Sequence, residues 1–303
     1  MLYDLLIIGS GPAGITAGIY AKRANLNVAV FEKNAPGGQI LNTAEVENYP
    51  GFKKVKGFEL AQSMFEHLLE LEVPVIWEEV LSVSIDGEKK IIKTEFNTYE
   101  ARAVLVATGA VPRTLNVEGE ADFTQKGISW CAICDGPLFK DKEVVVIGGG
   151  NSAVEESIFL SNIAKKITVV QNLDHLTADP KAQDHLRKMP NVDFIFNAKV
   201  KAFKGKDALE KVVVQKDGKE IEIPAEGTFE YIGLVPVTKF LDGLGVTNPY
   251  GYVIAKDDMT TSVPGLFSSG DVNVKPIRQI VTAVSDGAIA VQSILRYLEK
   301  LGE

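Results

Sequence analysis

The segment YDLLIIGSGPAGITAGIYAKRANLNVAVFEK, residues 3–33, sets an apolar run, a glycine turn, a helix-period stretch and a second apolar run in order. Short apolar runs bounded by glycine read as buried strands, and the stretch between them reads as a helix. A strand–helix–strand unit of this kind pairs its strands in parallel through a right-handed crossover. The same pattern returns in KEVVVIGGGNSAVEESIFLSNIAKKITVVQN, residues 142–172. Two such units in 303 residues predict two nucleotide-binding domains. The expected fold class is α/β, with two Rossmann-like, three-layer domains. Between the units, residues 75–107 read as hairpin strands. A further alternating stretch covers residues 193–233, and a long helix is expected over residues 279–299.

The first turn, GSGPAG, holds Gly9, Gly11, Pro12, Ala13 and Gly14 between strand and helix, the context a dinucleotide fingerprint requires. Gly9 permits the tight turn, Gly11 lets a pyrophosphate approach the backbone, and Gly14 allows close helix–strand packing. The helix start presents unpaired N–H groups to phosphate. Glu32 ends the next strand, where a carboxylate can accept from ribose hydroxyls; Lys33 follows it. The second turn, GGGNSA, places Gly148, Gly150, Asn151, Ser152 and Ala153 in the same context. Its second strand ends in Gln171 and Asn172, where an acid for NAD or an arginine for the NADP 2′-phosphate is expected. A nucleotide cradle without a clear recognition charge is one reading. A degenerate site is the other.

The formal net charge of −8 argues against nonspecific nucleic-acid binding, which draws its affinity from a positive surface. No apolar run reaches membrane-spanning length, and the N-terminus lacks the basic and apolar regions of a signal peptide. With two cysteines in the whole chain there is no secreted disulfide framework, and a cytoplasmic setting is expected.

Those two cysteines, Cys131 and Cys134, lie in CAICD. Zinc normally needs four ligands, and His67, His175 and His185 are scattered, so a metal here would have to be shared between subunits. A staple closing so short a loop stabilises weakly. Two inert thiols are the bland alternative. A redox pair explains the spacing, because two neighbouring sulfurs can form one local disulfide and exchange electrons in twos. Asp135 then supplies the acid that a leaving thiolate needs, unless it is only a cap. A nucleotide-binding fold joined to a dithiol implies a two-electron carrier between them.

The motifs GSGPAG, PGGQI, EVENYPG, ATGAVPR, CAICDGP, GGGNSAVEES and LFSSGDV, in this order, closely resemble the low-molecular-weight thioredoxin reductases over about residues 3–299. The resemblance implies an FAD domain built from residues 1–113 and 245–303, with a nicotinamide domain, residues 114–244, inserted and carrying CAICD. Glu32 through Gly37, Gly38 and Gln39 would run along adenosine and pyrophosphate. Asn48 would approach the flavin ring, and Thr108 and Gly109 would pass near the dinucleotide. Gly270 and Asp271 would hold the ribityl and phosphate region, with Arg278, Gln279 and Ile280 beside the ring. Cys134 would be the sulfur nearer the flavin, and Asp135 the acid–base. Thioredoxin or a thioredoxin-like protein would be the disulfide substrate, and the protein a homodimer.

The family's NADPH-dependent members place a histidine and arginines after the second strand of the inserted domain, where Gln171, Asn172, Leu173 and Thr177 stand here. No neutral side chain replaces an arginine's bidentate grip on phosphate. NADH is therefore the favoured donor. NADPH held through Lys165, Lys166 or Lys181, and ferredoxin, are the competing ones. On the same scaffold, a flavin dithiol oxidase and a non-enzymatic flavin sensor are the other functional classes.

Overall fold

The computed structural model describes residues 2–43 and 45–302. Contacts divide the chain into two units, one of Met1–Asn42, Tyr49–Val111 and Val235–Glu303, the other of Thr43–Asn48 and Pro112–Leu234.

In the first unit, β1 (Leu2–Ile8), α1 (Pro12–Arg23) and β2 (Val28–Phe31) form the expected parallel crossover, with Leu5 opposite Val28 and Ile8 opposite Phe31. The helix stops where Asn25 takes a left-handed conformation, φ 59°, and bonds back to Lys22 O. Further along lie α2 (Gly57–Glu70), β3 (Val75–Ile76), β4 (Ser82–Asp86), β5 (Lys89–Lys93) and β6 (Thr98–Val106). The seven-stranded sheet runs β3-β2-β1-β6-β5-β4, with strand Leu266–Ser268 beside β6. Residues 75–107 are thus only partly hairpin. Residues 75–76 pair in parallel with β2, and β6 pairs in parallel with β1 while closing the antiparallel meander.

Alternation along β1 explains the layers. Leu5 and Ile7 enter a core with α1 and the C-terminal helix Ile280–Gly302, whereas Leu6 and Ile8 enter a core on the opposite face. Burial on both faces is why the strand reads as a continuous apolar run. Phe240 and Leu241 belong to that second core. Residues 235–244, expected in the inserted domain, therefore group with the first unit.

The second unit carries β7 (Ile128–Ser129), α3 (Ala132–Asp135), β8 (Glu143–Ile147), α4 (Asn151–Ser161), β9 (Lys166–Val170) and β10 (Val192–Ile195). After these come β11 (Ala198–Gly205), β12 (Leu209–Lys216), β13 (Lys219–Pro224) and β14 (Gly227–Glu230). The parallel sheet runs β7-β14-β8-β9-β10, and β11-β12-β13 form an antiparallel sheet. Val144 and Val146 of β8 face the α4 side, while Val145 and Ile147 face the antiparallel sheet. Helix, parallel sheet and antiparallel sheet make three layers.

Both units aim a helix start at strand ends through close backbone contacts. A Cβ at Gly14 would overlap the Gly9 carbonyl oxygen. Gly14→Ala should lower folding stability by about 1–3 kcal/mol, the usual range for overpacking, read from urea denaturation of the full chain.

Candidate active site

The first glycine turn collects residues from four parts of its unit. Gly9, at φ +104°, leaves a Cβ only 2.6 Å from Ala107 O, so the turn lies directly against the segment before Thr108 and Gly109. Gly37 donates its N–H to Ser10 O at 2.8 Å, and Gly38 faces Gly11. Gly270 donates its N–H to Asp286 Oδ2 at 3.0 Å and lies close to Ala13. Gly11 differs from its neighbours: a Cβ there would meet only Gly38 Cα, at 4.0 Å. Packing does not demand that glycine, whereas backbone approach by a ligand does.

Glu32 stands at the end of β2. One carboxylate oxygen accepts from Ser10 N at 3.1 Å and Ser10 Oγ at 2.6 Å, and the other from Asn34 N at 2.8 Å. Lys33 turns outward to Glu79, 2.8 Å away, so it makes a surface ion pair. Thr108 Oγ1 donates to Val237 O at 2.6 Å. Asp271 is half-buried, and its Oδ1 is buried with no hydrogen-bond partner among the described residues. Burial pushes its carboxyl above the usual range, opposed by Lys275 and Arg278. Arg278 donates to Asp271 O and Asn273 O, both at 3.2 Å, and stacks 4.5 Å over Tyr252. Gln279 N donates to Thr282 Oγ1 at the start of the helix that Ile280 opens. Gln39 lies in the short 3-10 turn Gly38–Asn42. Asn48 belongs to a segment that groups with the second unit. Lys275 and Asp286 lie in no motif, and the role of Ser10 within GSGPAG becomes visible only through the fold.

In the second turn, Gly148 at φ +129° packs on Tyr231 O, and Ala153 fits beside it. At Gly150 a Cβ would meet only Thr177 Oγ1, at 3.9 Å. Asn151 Oδ1 accepts from Asp179 N at 2.8 Å, and Ser152 is exposed. Gln171 is only 6% exposed, with its carboxamide packed against Gly149 and its Oε1 accepting from Asn172 N at 3.0 Å. Its side chain therefore lies under the turn, while Asn172 is exposed at the strand end. Lys165 pairs with Glu143 at 3.2 Å and Lys166 with Asp193 at 3.0 Å. Both pairs lie at the starts of β8 and β9, roughly 13 Å of strand from the turn. Of the three lysines, Lys181 alone lies on the side of the turn, next to Asp179.

Cys131 and Cys134 are disulfide-bonded, with Cα atoms 5.3 Å apart. Cys131 caps α3, its Sγ accepting from Cys134 N at 3.2 Å. Ser129 Oγ accepts from Cys131 N at 3.1 Å and donates to Asp135 Oδ2 at 2.5 Å. The other Asp135 oxygen is buried and unpaired among the described residues. Burial raises the Asp135 carboxyl above its usual range, and the Ser129 bond opposes this. An acid is thus held beside the sulfurs with one oxygen uncommitted. No cluster able to hold a metal ion occurs among the described residues.

Trp130, next to Cys131, donates its indole N–H to Glu230 Oε2 at 3.1 Å. Glu230 faces Glu120 and is pushed up to about 8, first by burial and then by that like charge. Neither Trp130 nor Glu230 is readable from a motif.

The chain belongs to the pyridine nucleotide-disulphide oxidoreductase family, whose pattern it matches over residues 3–287. Within that family it is 44% identical to the thioredoxin reductase of Bacillus subtilis, covering 100% of this chain and 96% of the relative. The solved thioredoxin reductase of Streptococcus pyogenes superposes with TM-score 0.94 at 46% identity, covering 99% of each chain. A ferredoxin-flavin thioredoxin reductase from Clostridium acetobutylicum is 28% identical, with TM-score 0.56, covering 100% of this chain and 99% of its own.

Glu230 keeps its proton up to about pH 8 in the folded chain but releases it near 4.5 when unfolded. Folding therefore holds an extra proton between those values, and this contribution to stability is lost as pH rises through about 8. Glu230→Gln keeps an acceptor for Trp130 without the titration. Its urea midpoints at about pH 6 and about pH 9 should lie closer together than those of the wild type.

Proposed function

We propose that this chain is a flavin-dependent thioredoxin-disulfide reductase, passing two electrons from a donor through FAD to the Cys131–Cys134 disulfide and on to thioredoxin or a thioredoxin-like protein. The observation that carries the reading is the disulfide itself, with the half-buried acid Asp135 held beside it by Ser129. The thioredoxin reductase relatives, similar over the full chain, support the same assignment.

The first unit fits FAD by its own geometry. Gly11 leaves backbone room for a pyrophosphate next to the start of α1, Glu32 presents a carboxylate at the strand end, and Asp271 keeps a buried oxygen unpaired. Gly9, Pro12, Ala13, Gly14, Gly37, Gly38, Gln39, Thr108, Gly109, Gly270, Arg278, Gln279 and Ile280 complete the proposed cradle. Asn48 is assigned to it by family resemblance. When bound, FAD supplies two-electron transfer between a donor and a disulfide. Asp135 holds the proton that a leaving thiolate requires, and burial keeps that proton on the carboxyl to higher pH than in water. Residues 1–113 and 245–303 are assigned to FAD and 114–244 to the nicotinamide nucleotide, with the structural division ten residues earlier at the second joint.

For the donor, NADH is favoured. Gly148, Gly150, Asn151, Ser152 and Ala153 keep the cradle, but Lys165 and Lys166 are spent in ion pairs at the far strand ends. Gln171 contributes packing under the turn, leaving Asn172 as the exposed group for a ribose. The ferredoxin-flavin relative makes a protein donor the second reading. No helix among the described residues is long and apolar enough to cross a membrane. The homodimer and the cytoplasmic setting rest on resemblance.

Anaerobic stopped-flow of the yellow protein should show flavin bleaching by NADH at concentrations where NADPH is slow. Faster bleaching by NADPH would overturn the donor assignment, and bleaching by reduced ferredoxin alone would replace it. Cys134→Ser should abolish reduction of thioredoxin. Gly11→Ala should purify with less FAD, while its flavin-free form unfolds within about 0.5 kcal/mol of wild type, as an unobstructed surface change does.

A further inference from the structure

Behind the redox turn lies a second carboxyl. Glu156, on α4, packs toward α3, and its Oε2 is buried with no hydrogen-bond partner among the described residues. The Ile133 amide faces this carboxyl. The adjacent amide, Ala132 N, donates to Tyr231 Oη at 2.7 Å. Tyr231 follows β14 and feels the charges of both Glu156 and Asp135. Gly136 brings the turn close to the same helix, since a Cβ there would lie 3.2 Å from Leu160 and Phe159. Glu156 on α4 and Tyr231 just after β14 therefore flank residues 131–135, with Asp135 at the end of the same turn. The groups that face Glu156 are Glu155 on its own helix, the Ile133 amide, and Tyr231, which connects it to Asp135.

We propose that Glu156 is a positioning residue of the dithiol, whose charge sets the pH at which the reduced Cys131–Cys134 pair yields a thiolate. This rests on the redox reading of the pair. Two electrons and two protons convert the disulfide to two thiols. Loss of one proton gives the thiolate that attacks the substrate disulfide, forming a mixed disulfide and releasing a substrate thiolate, which takes up a proton. The second thiol then loses its proton and closes the internal disulfide, releasing the other substrate sulfur as a thiolate. Glu156 exchanges no atom in these steps. When ionised it opposes a negative charge on the turn whose Ile133 amide it faces, and so raises the thiol's pKa; when protonated it does not. Burial, and then the like charge of Glu155, push Glu156 up to about 7. Its charge therefore switches just below the ordinary thiol range of about 8.5, and the two titrations are coupled.

The test is alkylation. Full-length protein is reduced with dithiothreitol, freed of reductant without oxygen, and treated with iodoacetamide across pH, with modified Cys131 and Cys134 counted by mass spectrometry. Glu156→Gln keeps an acceptor for the Ile133 amide and removes the charge. Its rate profile should move to lower pH, with about twofold faster alkylation near pH 8, as a fall of half a pK unit from about 8.5 gives. Coincident profiles would overturn the proposal. Glu156→Ala lacks both charge and acceptor and should shift in the same direction. A shift in the alanine variant alone would trace to lost seating of the turn and would overturn the charge assignment. Neither measurement uses a nicotinamide or ferredoxin donor or a protein substrate, so failure of thioredoxin reduction is read separately.

Discussion

How near a helix can come to the strand it follows governs the rest of this structure. In the first unit α1 passes so close to the Gly9 carbonyl that position 14 has no room for a side chain. The C-terminal helix repeats the condition on the other side of α1, since a Cβ at Gly287 would overlap Ala13 O. Two helices and a sheet are thus drawn together around the start of α1. That contact is what places the free amides of the helix start between Thr108–Gly109 and Gly270–Asp271. Phosphate binding at a helix N-terminus depends on such placement, so the packing constraint supports the proposed cradle.

The second unit meets the same constraint differently. Gly148 lies against Tyr231 O as Gly9 lies against Ala107 O, but the third position here admits alanine. This links the glycine turn to the redox turn through one residue. Tyr231 offers its carbonyl side to Gly148 and its hydroxyl to Ala132 N. Between them, α4 carries Glu156 from the glycine turn toward α3. One consequence is electrostatic. Asp135, Glu156 and Glu230 each bury a carboxyl oxygen with no partner among the described residues. Burial without an opposite charge favours the neutral form. Such groups detract from stability above their pKa values, and an arrangement tuned only for stability would pair or replace them. Their concentration around residues 130–135 is what distinguishes this turn from a structural disulfide.

Much of this was legible in the chain because local rules carried it. Glycine turns between apolar runs located both crossovers, and the CAICD spacing located the sulfurs. The long C-terminal helix was expected over residues 279–299 and runs Ile280–Gly302. What stayed hidden depends on distant pairing. Strand 75–76 joins the sheet in parallel with β2, which no local alternation distinguishes from a hairpin. Phe240 and Leu241 enter the first unit's core from the far side of the inserted chain. Tyr231 lies about a hundred residues from the turn it contacts, and Glu156 reads as an ordinary helical surface acid until α3 covers it.

The two glycine turns are near copies, and their difference bears on chemistry. In the first, a carboxylate at the strand end, Glu32, is gripped by the Ser10 amide and hydroxyl. In the second, the equivalent pair is Gly149 and Gln171, a carboxamide against a residue with no side chain. The swap keeps the shape of the turn and removes its charge. A neutral amide held under the turn neither repels a 2′-phosphate, as an acid would, nor attracts one, as an arginine would. Selectivity for the nucleotide must then come from what surrounds the turn, where Asp179 donates its amide to Asn151 and accepts from Lys181 N, and Asp174 pairs with His175. A neutral turn of this kind supplies no charge of its own to the extra phosphate of NADP, and that supports the proposed preference for NADH.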